Sequence, residues 1–171
     1  MKRLFLFALI VSITNMFNAF AQDDKSKRVS PPVKVTDTIS TGATITIDYS
    51  QPAVKGRTIG TDLATYGKVW RTGANEATIF EVSKAVKVEG KTLSAGKYSL
   101  YTIPGENEWV IIFNKTWNQW GTVYDISKDA LRVNVKPTKA DAFAEKFAFN
   151  INKAGQVSLA WGDTQAAFTV K

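Results

Sequence analysis

The segment Val69-Trp70-Arg71-Thr72-Gly73-Ala74-Asn75-Glu76-Ala77-Thr78 sets an indole, a guanidinium, an amide and a carboxylate around one glycine. Lys55 and Arg57 precede it in a stretch broken by Pro52, Gly56 and Gly60, which reads as an extended loop. If that loop folds near the segment, its cations converge with Arg71, Asn75 and Glu76, and a guanidinium fork suits a carboxylate or phosphate. Two readings stay open. In one, Lys55, Arg57, Trp70, Arg71, Asn75 and Glu76 bind a ligand. In the other, Arg71 or Arg57 pairs with Glu76 and merely fastens two loops. Further on, Trp117-Asn118-Gln119-Trp120 places two indoles beside two amides, a composition that serves either stacking on a sugar or apolar ligand, or plain packing over a loop.

Exclusion narrows the chemistry more than any motif does. The chain has neither histidine nor cysteine, so a Ser-His-Asp triad, a thiol nucleophile and a zinc site of imidazole or thiolate are impossible. Ser94-Ala95-Gly96-Lys97 has the S-x-x-K spacing of serine acyl-transfer enzymes, but Gly96 and the strand pattern after it remove the helical turn that spacing needs. A glycosidase-like pair could draw on Glu76, Glu81, Glu106, Glu108, Asp125 or Asp129, since two carboxylates about 5 to 10 Å apart suffice. Acids in this number are ordinary on a surface, and no dense acidic loop indicates calcium. Asn114-Lys115-Thr116 is formally a glycosylation sequon and reads as chance. No cofactor and no metal are expected, and catalysis is left open with a lean against it.

The elements that must position these residues are strands. Apolar residues alternate with polar ones through Ile45, Ile47 and Tyr49, through Thr78, Phe80 and Val82, and again through Leu131, Val133 and Val135. Phe147, Phe149 and Ile151 continue the pattern. Trp109-Val110-Ile111-Ile112-Phe113 is apolar on both faces, which places it under cover on both sides. Turns are expected at Glu89-Gly90, Ser94-Ala95-Gly96, Pro104-Gly105, Ala154-Gly155 and Gly162-Asp163, the last separating a strand over residues 157–161 from one over 167–170. The resulting nine or ten short strands predict an all-β fold, an antiparallel β-sandwich or partly closed barrel in a single domain. Trp109, Trp161, Phe147 and Phe149 are its expected core aromatics.

At the N-terminus, Lys2 and Arg3, an apolar run over residues 4–11 and Ala19-Phe20-Ala21 predict a cleavable export signal over residues 1–21. The run is short of the about 20 residues that span a bilayer, so no membrane span is expected after cleavage, and the address is periplasm or medium. Residues 22–32 are polar and read as a flexible leader, with the domain over 33–171. The formal charge of +7 falls to +5 when Lys2 and Arg3 are removed. The basic residues are scattered among acids without the stripe that nucleic-acid binders carry, so no nucleic-acid partner is expected. With no cysteine there are no disulfides, and stability must come from packing.

Ser50-Gln51-Pro52 with Lys55-Gly56-Arg57, Trp70-Arg71-Thr72-Gly73-Ala74-Asn75-Glu76-Ala77-Thr78, Ala95-Gly96-Lys97-Tyr98-Ser99-Leu100, Ile103-Pro104, Trp109 and Trp120-Gly121 together resemble the bacterial secreted family known as domain of unknown function 2911. The resemblance spans about residues 33–171 and implies export and domain extent, but no activity, cofactor or catalytic residue. The function expected from the sequence is a secreted β domain that binds a small anionic or glycan-like ligand through the loops around Arg71 to Glu76, with Trp117 and Trp120 contributing. The alternatives are a carboxylate-dependent hydrolase of envelope or polymeric carbohydrate, and a structural or adhesive envelope protein without a small ligand.

Overall fold

The computed structural model describes residues 24–171, so the export segment expected over 1–21 lies outside the described residues. Ten strands follow in chain order: β1 (Pro32–Thr38), β2 (Thr44–Ser50), β3 (Ala74–Val82), β4 (Val86–Val88), β5 (Lys91–Leu93), β6 (Gly96–Ile103), β7 (Trp109–Asn114), β8 (Asp129–Val135), β9 (Thr138–Ile151) and β10 (Gln156–Thr169). Six of them form one antiparallel sheet in the order β1-β2-β3-β6-β7-β8. Facing it is a second layer built on the long β9–β10 hairpin. Ala53 bridges to Lys146 on one side of that hairpin, and Val88 bridges to Val170 on the other, bringing in the β4–β5 pair. Among the described residues the six-stranded sheet does not close on itself, so the architecture is a sandwich and not a closed barrel.

Side-chain alternation decides which residues meet between the layers. Register aligns Val35, Ile47, Phe80 and Tyr98 in one row across β1, β2, β3 and β6, all facing the second layer. There they meet Phe147, Phe149, Leu159, Trp161 and Phe168 in a continuous core. The next row, Lys34, Asp48, Ile79 and Ser99, points to the opposite face. A one-residue slip would exchange the two rows, so burial of the inner row fixes what the outer row presents. On β7 both faces are covered, as its composition predicts: Ile111 and Phe113 belong to the inter-layer core, while Ile112 packs with Ala77 and Tyr101 on the outer face.

Two boundaries differ from the sequence reading. Gly162-Asp163 is no turn; β10 runs through it, and the register with β9 shifts on both sides of Gly162, which sits at φ +59°. Glycine here supplies a bulge that bends a 14-residue strand. β9 is likewise more than twice as long as the alternating part suggested, because its first eight residues, Thr138 to Glu145, pair with little apolar burial. The described part of the leader is held in place. Lys25–Lys27 form a short 3-10 turn capped by Asp24, Asn75 Nδ2 donates to the Ser30 carbonyl, and Lys25 and Arg28 reach Glu76.

Candidate functional site

β3 and β6 run together only as far as the pair Thr78 and Leu100. Beyond it β6 pairs with Trp70 through Thr102, and the chain from Arg71 to Gly73 loops out before β3 begins. The start of β3 takes a different neighbour. Ala77 N donates to the Gln119 carbonyl and Gly121 N donates to the Asn75 carbonyl, at 3.2 and 3.1 Å, so residues 119–121 run antiparallel beside Asn75 to Ala77. The loop that supplies them is fixed by side chains: Ser99 Oγ donates to the Thr116 carbonyl, Asn114 Nδ2 to the Asp125 carbonyl and to Asp129 Oδ1, and Gln119 Nε2 to Tyr101 Oη. This strip separates two concavities on the outer side of the large sheet.

The larger is a groove of about 650 Å³. Val33, Lys34, Asp48, Ile79 and Ala77 from β1, β2 and β3 line it together with Lys25 and Glu76, and Trp117, Asn118, Gln119 and Trp120 form its other wall. Trp120 is 51% exposed and Trp117 39%. Lys97 Nζ lies 5.0 Å from the Trp117 ring, a cation–π contact that orients the indole. Charges in the groove are paired: Lys34 with Asp48 at 3.3 Å, and Glu76 with Lys25 at 2.9 Å and with Arg28 through both carboxylate oxygens at 3.0 Å. Burial works to raise the Glu76 carboxyl, but the hydrogen bonds from Lys25 and Arg28 outweigh it and bring it down to about 2.

The smaller cavity, about 290 Å³, lies on the other side of the strip, lined by Val69, Trp70, Arg71, Tyr101, Gly121, Thr122 and Tyr124. Neither Arg71 nor Arg57 makes the expected clasp, because Glu76 pairs with Lys25 and Arg28. Arg71 Nε is shut off from solvent with no hydrogen-bond partner among the described residues. Thr72, the next residue, is fully buried at φ +53°, a left-handed conformation that a β-branched residue seldom adopts. The conformation is held by the hydrogen bond from Thr78 Oγ1 to the Thr72 carbonyl at 2.8 Å, and Thr72 Oγ1 itself reaches Trp70 O and Thr102 Oγ1. Asn75, at φ +58°, is a second left-handed residue, just inside the start of β3.

The remaining expected site residues are placed elsewhere. Trp70 stacks on Trp161, with centroids 5.4 Å apart, packs edge-on against Trp109 and Phe147, and donates its Nε1–H to the Gly73 carbonyl. It is a core brace with one side on the smaller cavity. Lys55 and Arg57 line neither cavity. Their loop is stitched to β9 instead, with Val54 N donating to the Glu145 carbonyl and Lys55 N to Glu145 Oε1, while the Arg57 guanidinium closes the loop on itself at the carbonyls of Val54 and Ala53. The sequence reading missed Lys34 and Asp48, which strand register brings together in the groove, Lys25, which reaches it through Glu76, and Tyr101, Gly121 and Tyr124 in the smaller cavity. Ser94 and Lys97 have no helical turn between them, and Lys97 pairs with Glu81. Among the described residues no three acidic side chains gather as metal ligands, and no helix is long and apolar enough to cross a membrane.

Comparison with curated proteins and with solved structures returns no match. The family comparison does: residues 30–170, from the end of the leader through β10, match the family described as Protein of unknown function (DUF2911), and the chain belongs to it.

Proposed function

We propose that this protein is an exported binding domain whose groove takes a glycan-like ligand. The observation that carries the reading is the pair of exposed indoles, Trp117 and Trp120, on the wall of a concave surface whose floor offers Ile79 and Ala77 between charged pairs. A sugar ring has an apolar face and a polar rim. Indoles cover the first, and carboxylates and amides such as Glu76, Asp48, Asn118 and Gln119 hydrogen-bond the second. Binding sites combine apolar lining with a few placed polar groups in this way. The loop that bears both tryptophans is anchored at Ser99, Tyr101 and Asn75, so little ordering remains to oppose binding. Glu76, whose carboxyl is brought down to about 2, is unsuited to the general-acid role that glycoside hydrolysis requires near neutrality.

The test is a thermal-shift and tryptophan-fluorescence screen against neutral cello-, malto- and chito-oligosaccharides. At least one series should raise the melting temperature and perturb the fluorescence. Trp117→Ala and Trp120→Ala should each abolish both effects while changing stability by no more than about 0.5 kcal/mol, as for exposed side chains generally. Release of new reducing ends would replace the reading with a hydrolase. Silence across the panel at millimolar sugar would leave a structural envelope protein as the surviving account.

A further inference from the structure

We infer that the cavity at Arg71 is a second binding site, separate from the groove, and that it takes a monocarboxylate carried on an apolar stem. The starting point is a charge without a counter-charge. Of the three guanidinium nitrogens, Nε is sealed from solvent, while the two terminal nitrogens bond no described residue and keep solvent access at the cavity. The carboxylates that might have neutralised Arg71 are committed. Glu76 is held by Lys25 and Arg28, and Asp129 accepts from Tyr124, Arg132 and Asn114. Burial also draws the Arg71 guanidinium below its ordinary value, yet arginine stays protonated in proteins. A fork of N–H donors therefore faces the cavity with its charge unmet, and low-dielectric walls strengthen whatever anion meets it.

The surroundings are built to keep the side chain there. A Cβ on Gly121 would lie 2.1 Å from Arg71 Cδ and 2.6 Å from the Asn75 carbonyl oxygen, so only glycine lets the strip cross the arginine stem at this height. On the other flank is the strained Thr72, and strain of this kind, about 1 to 3 kcal/mol, persists where the surroundings over-determine it and clusters at ligand sites.

The chemistry of the walls selects the ligand. Tyr101 Oη donates to the Val123 carbonyl and Tyr124 Oη to Asp129 Oδ2, at 2.7 Å each, so neither phenol has its proton to spare. Arg71 is the only charged residue among the described residues lining the cavity, which matches a single negative charge better than the about −1.5 to −2 of a phosphate monoester. Two terminal nitrogens in a plane fit the two oxygens of a carboxylate. Val69, Trp70 and the two tyrosine rings offer an apolar lining to what the carboxylate is attached to, and the cavity volume equals that of roughly ten waters at about 30 Å³ each, room for a small acid.

Benzoate, acetate, galacturonate and phosphate, each against sodium chloride at the same ionic strength, test the site by thermal shift and calorimetry. Benzoate should raise the melting temperature most, acetate less and phosphate no more than chloride. Arg71→Met, which keeps the stem and removes the charge, should weaken benzoate at least about tenfold, the equivalent of a lost charge-assisted hydrogen bond. Val69→Trp, at a position 40% exposed, should fill the mouth and give the same loss with Arg71 intact, which covers the case in which Arg71→Met fails to fold. Trp117→Ala and Trp120→Ala should leave benzoate binding unchanged, so failure of the groove reading does not touch this one. A larger response to galacturonate than to benzoate would overturn the apolar stem. No response to any carboxylate, equal binding to Val69→Trp, or a stronger response to phosphate would overturn the assignment.

Discussion

Replacing Glu76 with Gln keeps the shape of the side chain and removes the charge that Lys25 and Arg28 hold. The ordinary value of 4.5 falls to about 2 in the folded protein, which at about 1.36 kcal/mol per pH unit corresponds to about 3.4 kcal/mol. The carboxylate side chain is 36% exposed and Lys25 56%, so solvent screens much of that interaction. About 1 to 1.5 kcal/mol is the realistic loss in Glu76→Gln at neutral pH. The sign follows from linkage: a carboxyl with a depressed folded value binds fewer protons folded than unfolded, so its contribution is complete above about pH 4.5 and is lost as pH falls through about 2. Urea denaturation of both proteins from about pH 7 to about pH 3 measures the difference. It should be level down to about pH 4.5 and have dropped by more than half at about pH 3. A gap that stays constant to pH 3, or no gap at pH 7, would refute the ion-pair account of how residues 24–28 are fastened to β3.

Phe147→Ala should cost about 3 to 5 kcal/mol, because the ring is fully buried against Tyr49, Trp70, Phe149 and Trp161 and the cavity left behind lies between the two layers; chemical denaturation checks the magnitude, and a loss below about 1 kcal/mol would contradict the sandwich core. Export with cleavage after Ala21 should give a mature protein beginning at Gln22, and intact mass of the protein recovered outside the inner membrane decides it. Recovery of the full-length chain in that membrane would remove the export proposal.

Where the sequence was readable, the reason was a period of two with one face buried. β2, β3 and the second half of β9 alternate because a single row of each packs between the layers, whereas β6 and β7 are covered on both faces, with Tyr101 and Ile112 under loop residues such as Tyr124 on the outer one. The first half of β9 buries little more than Ala140, so it left no pattern to find. Gly162-Asp163 has turn composition, yet a bulge and a turn ask the same thing of a glycine, a positive φ, and only the partner strand tells them apart.

The site was legible as a set of residue types and illegible as a set of partnerships. Arg71, Asn75 and Glu76 stand within six residues, which invites a clasp between the guanidinium and the carboxylate. Strand geometry works against it: the chain passes through two left-handed residues, Thr72 in the loop and Asn75 at the start of β3, and Glu76 comes out on the side of the strip that faces the leader and the groove. Lys25 and Arg28, distant in sequence and unremarkable in composition, take the carboxylate there. The arginine is left on the other side, under Gly121, with its charge unmet. One cluster of polar residues thus becomes two sites of different character, a groove whose charges are internally paired and whose exposed groups are indoles, and a small cavity whose one charge is free. The first favours a neutral, ring-bearing ligand and the second an anion, and the peptide strip of residues 119–121 that divides them is what makes the distinction possible.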